Sequence, residues 1–87
     1  MTTYTSDEVC NSDVIIAFMS LHTSKEGRRK AEGTAGRTVS GLLKAAAKRG
    51  DIKASRSWGR VTGTYVCYEM TAEQVAAIRA EAIRRAA

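Results

Sequence analysis

Between Arg37 and Thr71 the spacing of apolar residues changes once, and the change falls at a glycine. Val39, Leu42, Leu43, Ala46 and Ala47 recur at i, i+3, i+4, i+7 and i+8, the pattern of a helix with one buried stripe. Thr34 or Thr38 can cap its start. Lys48 and Arg49 fall in its last turn, where cations suit the helix dipole, and Gly50 stands where a left-handed C-terminal glycine belongs. Beyond Gly50 the period becomes two. Ile52 to Trp58 reads as a strand with Ile52 and Ala54 inward. Thr64 to Met70, TYVCYEM, is richer still in β-branched and aromatic residues. Alternation sets Val66, Tyr68 and Met70 on one face and Tyr65, Cys67 and Glu69 on the other. Gly59 and Gly63 flank the turn between the strands. A helix that stops and feeds a hairpin constrains the fold more than any other feature of the chain.

The remaining segments read as helices and one arm. Residues 1–11 are a polar arm, in which Tyr4 and Val9 have no assigned packing partner. Asn11 or Ser12 can cap a helix starting at Asp13, with Val14, Ile15, Phe18, Met19, Leu21 and His22 on its apolar side. Thr23 to Glu26 has the T-x-x-E form of a capping box. The segment from there through Glu32 is a short helix or a basic loop, since Ala31 is its one apolar residue. Gly33-Thr34-Ala35-Gly36 is expected to break the chain. Thr71 to Gln74 is a further capping box, opening a helix over about 72–85. Val75, Ile78, Ala82 and Ile83 face inward there, and Arg79, Arg84 and Arg85 face outward or lie near its end.

Eighty-seven residues make a single domain with a modest core. A hydrophobic fraction of 44% with clear periodicity argues for a folded chain. The longest apolar run, Val14 to Met19, is far too short to span a membrane. No basic residue precedes it, so neither a signal nor a transit peptide is expected, and the cytoplasm is the expected compartment. Cys10 and Cys67 are therefore read as free thiols. No cofactor or metal is expected: there is no CxxC or HxxxH pair, and His22 is the only histidine. GTAGRT, residues 33–38, misses the spacing of a phosphate-binding loop. No set of carboxylates or nucleophiles is spaced for catalysis, and the chain is read as a non-enzyme with no small-molecule substrate.

Charge is the positive signal. The chain carries a net +5, but from Lys25 to Arg60 there are eleven basic residues against three acidic ones, a local excess of eight. Outside that segment three basic residues face six acidic ones. A concentrated positive field of this kind favours a polyanionic partner.

Thr38-Val39-Ser40, Leu42-Leu43, Lys48-Arg49-Gly50-Asp51-Ile52, Gly63 and Tyr68-Glu69-Met70-Thr71 resemble the winged helix-turn-helix family. They are similar to its recognition-helix opening, its core leucines, its passage into the wing and its strand exit, over about 35 residues. The resemblance implies an α+β fold: three helices, a β-hairpin wing and a C-terminal helix, occupying 12–87. It implies a double-stranded DNA partner, with helix 38–49 in the major groove and hairpin 52–70 on the backbone or minor groove. Arg37, Thr38, Ser40, Lys44 and Lys48 would then meet bases or phosphates, with Gly41 allowing close approach or, equally, a tight helix crossing. Lys53, Arg56 and Arg60 would serve from the wing, and Arg28, Arg29 and Lys30 would add phosphate contacts. Trp58 is read as a lid on the hairpin's own small core, with stacking on a base or sugar as the alternative. Helix 72–85 is available to pair two copies. A small transcriptional regulator or a bacteriophage or mobile-element accessory factor would fit. The alternatives are a protein-interaction module, such as a phage-encoded inhibitor, presenting the same basic face, and an RNA-binding winged helix.

Overall fold

The computed structural model describes residues 2–61 and 63–86; Met1, Thr62 and Ala87 lie outside the described residues. The chain runs β1 (Thr2–Tyr4), α1 (Ser6–Val9), α2 (Ser12–Met19), α3 (Lys25–Arg49), β2 (Lys53–Gly59), β3 (Gly63–Met70) and α4 (Ala72–Ala86). It is an α+β fold of four helices and a three-stranded antiparallel sheet in the order β1-β3-β2.

Residues 2–11 are not an arm. Thr2, Thr3 and Tyr4 pair with Met70, Glu69 and Tyr68 and so complete the sheet. Thr5 and Glu8 form a full capping box at the start of α1: the Glu8 amide donates to Thr5 Oγ1, and the Thr5 amide donates to Glu8 Oε1 at 2.9 Å. The Thr5 amide, and then the Thr5 hydroxyl, donate to the Glu8 carboxylate and hold it below its ordinary range. Val9 is fully buried. α1 ends against α4, where Arg79 donates to the carbonyls of Val9 and Glu8 at 2.8 and 3.0 Å. Arg79, expected to face outward, instead turns inward and is half-buried.

Asn11 caps α2, accepting from the Val14 amide at 3.2 Å. Val14 and Phe18 are buried and Ile15 and Met19 pack beside them, whereas Leu21 lies beyond the helix and is exposed. The turn from Ser20 leads to Ser24, and Ser24 rather than Thr23 caps the next helix by accepting from the Gly27 amide at 3.0 Å. Gly27 is where the turn lies closest to that helix. A Cβ there would stand 2.9 Å from Ser24 Oγ and 3.1 Å from the His22 ring.

The largest departure from expectation is α3. Neither a short second helix nor a break at residues 33–36 is present; one helix of 25 residues runs from Lys25 to Arg49. Its buried residues, Ala31, Ala35, Val39, Leu43 and Ala46, lie on one continuous face packed against α2, α4 and α1. Burial of Ala31 and Ala35 outweighs the poor helix propensity of Gly33 and Gly36, because packing of one face is the main source of helical stability. Thr34 and Thr38 turn their hydroxyls back onto the same helix, donating to the carbonyls of Lys30 and Thr34 at 3.0 and 2.8 Å. The helix ends where expected. Gly50 takes φ 85°, and its amide reaches Ala46 and Ala47.

Strand register sets the faces of the sheet. Ala54, Arg56 and Trp58 oppose Tyr68, Val66 and Thr64, so these six side chains share one face with Met70 and Tyr4. Near the helices that face is core: Met70 and Tyr68 are buried. Ala54, expected inward, is exposed although it stands across from buried Tyr68, since it lies on the outer strand of the sheet. Cys67 is buried on the opposite face, and both cysteines are free. Thr71 and Gln74 exchange the two bonds expected of a capping box, at 2.9 and 3.1 Å. Gln74 also donates to the Asp51 carbonyl at 3.0 Å, fixing the exit of α3 to the start of α4. In α4, Val75 and Ala82 are buried as expected, whereas Ile83 points outward. Among the described residues, no helix is long and apolar enough to cross a membrane.

Candidate nucleic-acid interface

Opposite the buried face of α3 runs a cationic ridge. Lys30, Arg37, Lys44 and Lys48 stand at i, i+7, i+14 and i+18, close to whole helical turns, and all are exposed. From first to last the ridge spans about 27 Å at 1.5 Å per residue. Gly41 lies on the same side, with nothing near it, which removes the reading of a tight helix crossing.

The other expected residues divide. Thr38 is mid-helix, half-buried and bonded to its own helix, so it neither caps a recognition helix nor joins the ridge. Arg28 and Arg29 lie on the first two turns. Arg28 Nε donates to the His22 carbonyl at 3.3 Å and braces the α2–α3 turn. Lys53 and Arg56 are three apart on β2 and so occupy opposite faces of the sheet; Lys53 stands across from Glu69. Ser40, half-buried, faces the hairpin together with Lys44.

Between α3 and the hairpin lies an open groove of about 810 Å³. One wall is Ser40 and Lys44. The other is the hairpin, with Gly59, Arg60, Val61, Tyr65, Val66 and Tyr68, and the floor end is Thr5, Ser6 and Asp7. Val66 and Tyr68, on the side of the sheet that carries Met70 into the core, are part of the groove's apolar wall. Among the described residues, Lys30 and Arg49 are the basic residues of the central segment that form ion pairs, with Glu26 at 3.8 Å and Asp51 at 2.9 Å. Lys44, Lys48, Arg56 and Arg60 form none among the described residues. Asp7 is the acidic residue at the rim.

Trp58 is not a lid. It is 73% exposed, on the same face as Arg56 and Val66, and Val61 at the turn is 97% exposed. Sequence reasoning missed the N-terminal wall of the groove and these outward apolar residues. The T-x-x-E spacing of Thr5 and Glu8 was the available sign that the N-terminal segment is ordered. Burial, and then Asp7 and Glu32, push the Cys10 thiol up in pKa, which keeps it protonated and a poor nucleophile.

No family model, curated protein or solved structure matches the chain. Function is therefore argued from the ridge, the groove and the hairpin.

Proposed function

We propose that this chain binds double-stranded DNA in the manner of a winged helix, with α2, the turn at 20–24 and α3 as its helix-turn-helix and β2–β3 as its wing. The carrying observation is the cationic ridge of α3 alongside a groove whose far wall ends in Arg60. An α-helix fits the major groove, and a two-stranded ribbon reaches the adjacent minor groove. The groove between them then receives the sugar-phosphate strand that separates the two. Lys30, Arg37, Lys44 and Lys48 contact phosphates and base edges from α3, and Arg56 and Arg60 contact the backbone from the hairpin. Arg37 is the side chain suited to bidentate pairing with guanine. The helix enters with the ridge along its length rather than with Thr38 at its tip.

Six such cations predict a log–log salt slope of about −5. The test is fluorescence anisotropy with duplex DNA, duplex RNA and heparin across a salt series. Arg37→Glu with Lys44→Glu is expected to abolish duplex binding without lowering the melting temperature, because both residues are exposed. Unchanged binding by that variant refutes the assignment of α3. Equal affinity for heparin and duplex DNA, with no preference over RNA, reduces the reading to generic polyanion attraction.

A further inference from the structure

The end of the hairpin combines two properties that a soluble surface ribbon has no need to combine. Near the hairpin's end Trp58 and Val61 are 73% and 97% exposed, and the hairpin carries no acidic residue from Ile52 to Tyr68. Arg56 lies two residues from Trp58 on the same face, and Arg60 adjoins Val61. An indole left in water forgoes one of the largest burial gains available to a side chain, and no element of this fold covers it. The charge around it selects the cover: a polyanion that also offers apolar surface. Stacked base pairs reached through the minor groove meet both conditions, and apolar side chains that enter there part a base step and kink the duplex.

We propose that Trp58 and Val61 form a wedge that enters the minor groove between base pairs while Arg56 and Arg60 hold the flanking phosphates, so that the protein bends the DNA it binds. This rests on the duplex-binding reading above, and it assigns the hairpin an action on DNA shape.

Trp58 is the only tryptophan in the chain, so its own fluorescence reports insertion. A short duplex labelled at both ends reports bending by energy transfer. The wild-type protein is expected to quench on binding and to bend the duplex by roughly 20–90°. Trp58→Ala should keep the salt slope but leave the duplex straight, and Trp58→Phe should keep most of the bend. Binding by the wild-type chain without bending, or full bending by Trp58→Ala, overturns the wedge and leaves duplex binding standing. Quenching with single strands alone overturns it in favour of base stacking on unpaired nucleotides. Failure of the wild-type chain to bind any duplex overturns both readings.

Discussion

Replacing Gly33 and Gly36 together by alanine tests the continuity of α3 directly. Neither glycine has a positive φ; among the described residues only Gly50 and Gly63 do. A Cβ on Gly36 meets nothing within 4 Å, and one on Gly33 meets only the flexible end of Arg37, at 3.6 Å. Alanine is thus accommodated at both sites. Glycine inside a helix costs about 0.5–1 kcal/mol relative to alanine, so the double variant should gain about 1–2 kcal/mol. For a domain of this size each kcal/mol moves Tm by about 4–8 °C, giving a rise of about 4–16 °C. Far-ultraviolet circular dichroism melts and urea titrations measure it, with an unchanged urea slope as the sign that only stability moved. Gly50→Ala provides the opposite control, since φ 85° there strains any side chain and the melt should fall. A lower Tm for the Gly33/Gly36 double variant would refute the reasoning. It would mean that the chain turns at 33–36 and that α3 is two helices.

Burial and charge give two more expected outcomes. Leu43→Ala should destabilise by about 2–5 kcal/mol, because the side chain is fully buried on the packed face of α3, whereas Leu42→Ala, half-buried, should cost less; equal urea midpoints for the two would contradict the face assigned to α3. Arg84 and Arg85 hold the exposed Glu81 carboxyl down at about 2 from an ordinary 4.5. A lowered folded-state pKa stabilises above the unfolded value and is lost as pH falls through the folded one. The advantage of the wild type over Glu81→Gln should be full at neutral pH, shrink below about 4.5 and vanish near 2 in acid-dependent melts.

Where local sequence and tertiary packing agreed, the elements could be read directly. The second half of α3 was legible because its apolar stripe and Gly50 point the same way, and β3 because its composition and alternation do. The first half was not. Gly33 and Gly36 argue locally for a break, and the decisive term, burial of Ala31 and Ala35 against other helices, is invisible to a window along the chain. The N-terminal strand was illegible for a related reason: three residues, TTY, carry no period until β3 is present to pair with them. In the site, the cations of α3 and the hairpin were found by charge, but their grouping was not. Helical repeat aligned Lys30, Arg37, Lys44 and Lys48, while strand alternation separated Lys53 from Arg56. Trp58 was misread because an aromatic residue usually ends in a core, and whether the hairpin reaches past the helices is a tertiary fact.

The sheet closes by pairing the first strand made with the last. β1 pairs with β3, and the Val9 carbonyl waits for Arg79, 70 positions later. At a synthesis rate of about 5–20 residues per second, that interval is about 4–14 s. The β2–β3 ribbon closes on itself within microseconds of emerging. One edge of β3 is then open until the first-made strand returns to cover it, and an open edge invites a neighbouring chain. The N-terminal segment is thus the closing piece of the assembly, and the nascent protein is most vulnerable to pairing with a second copy just before that segment docks.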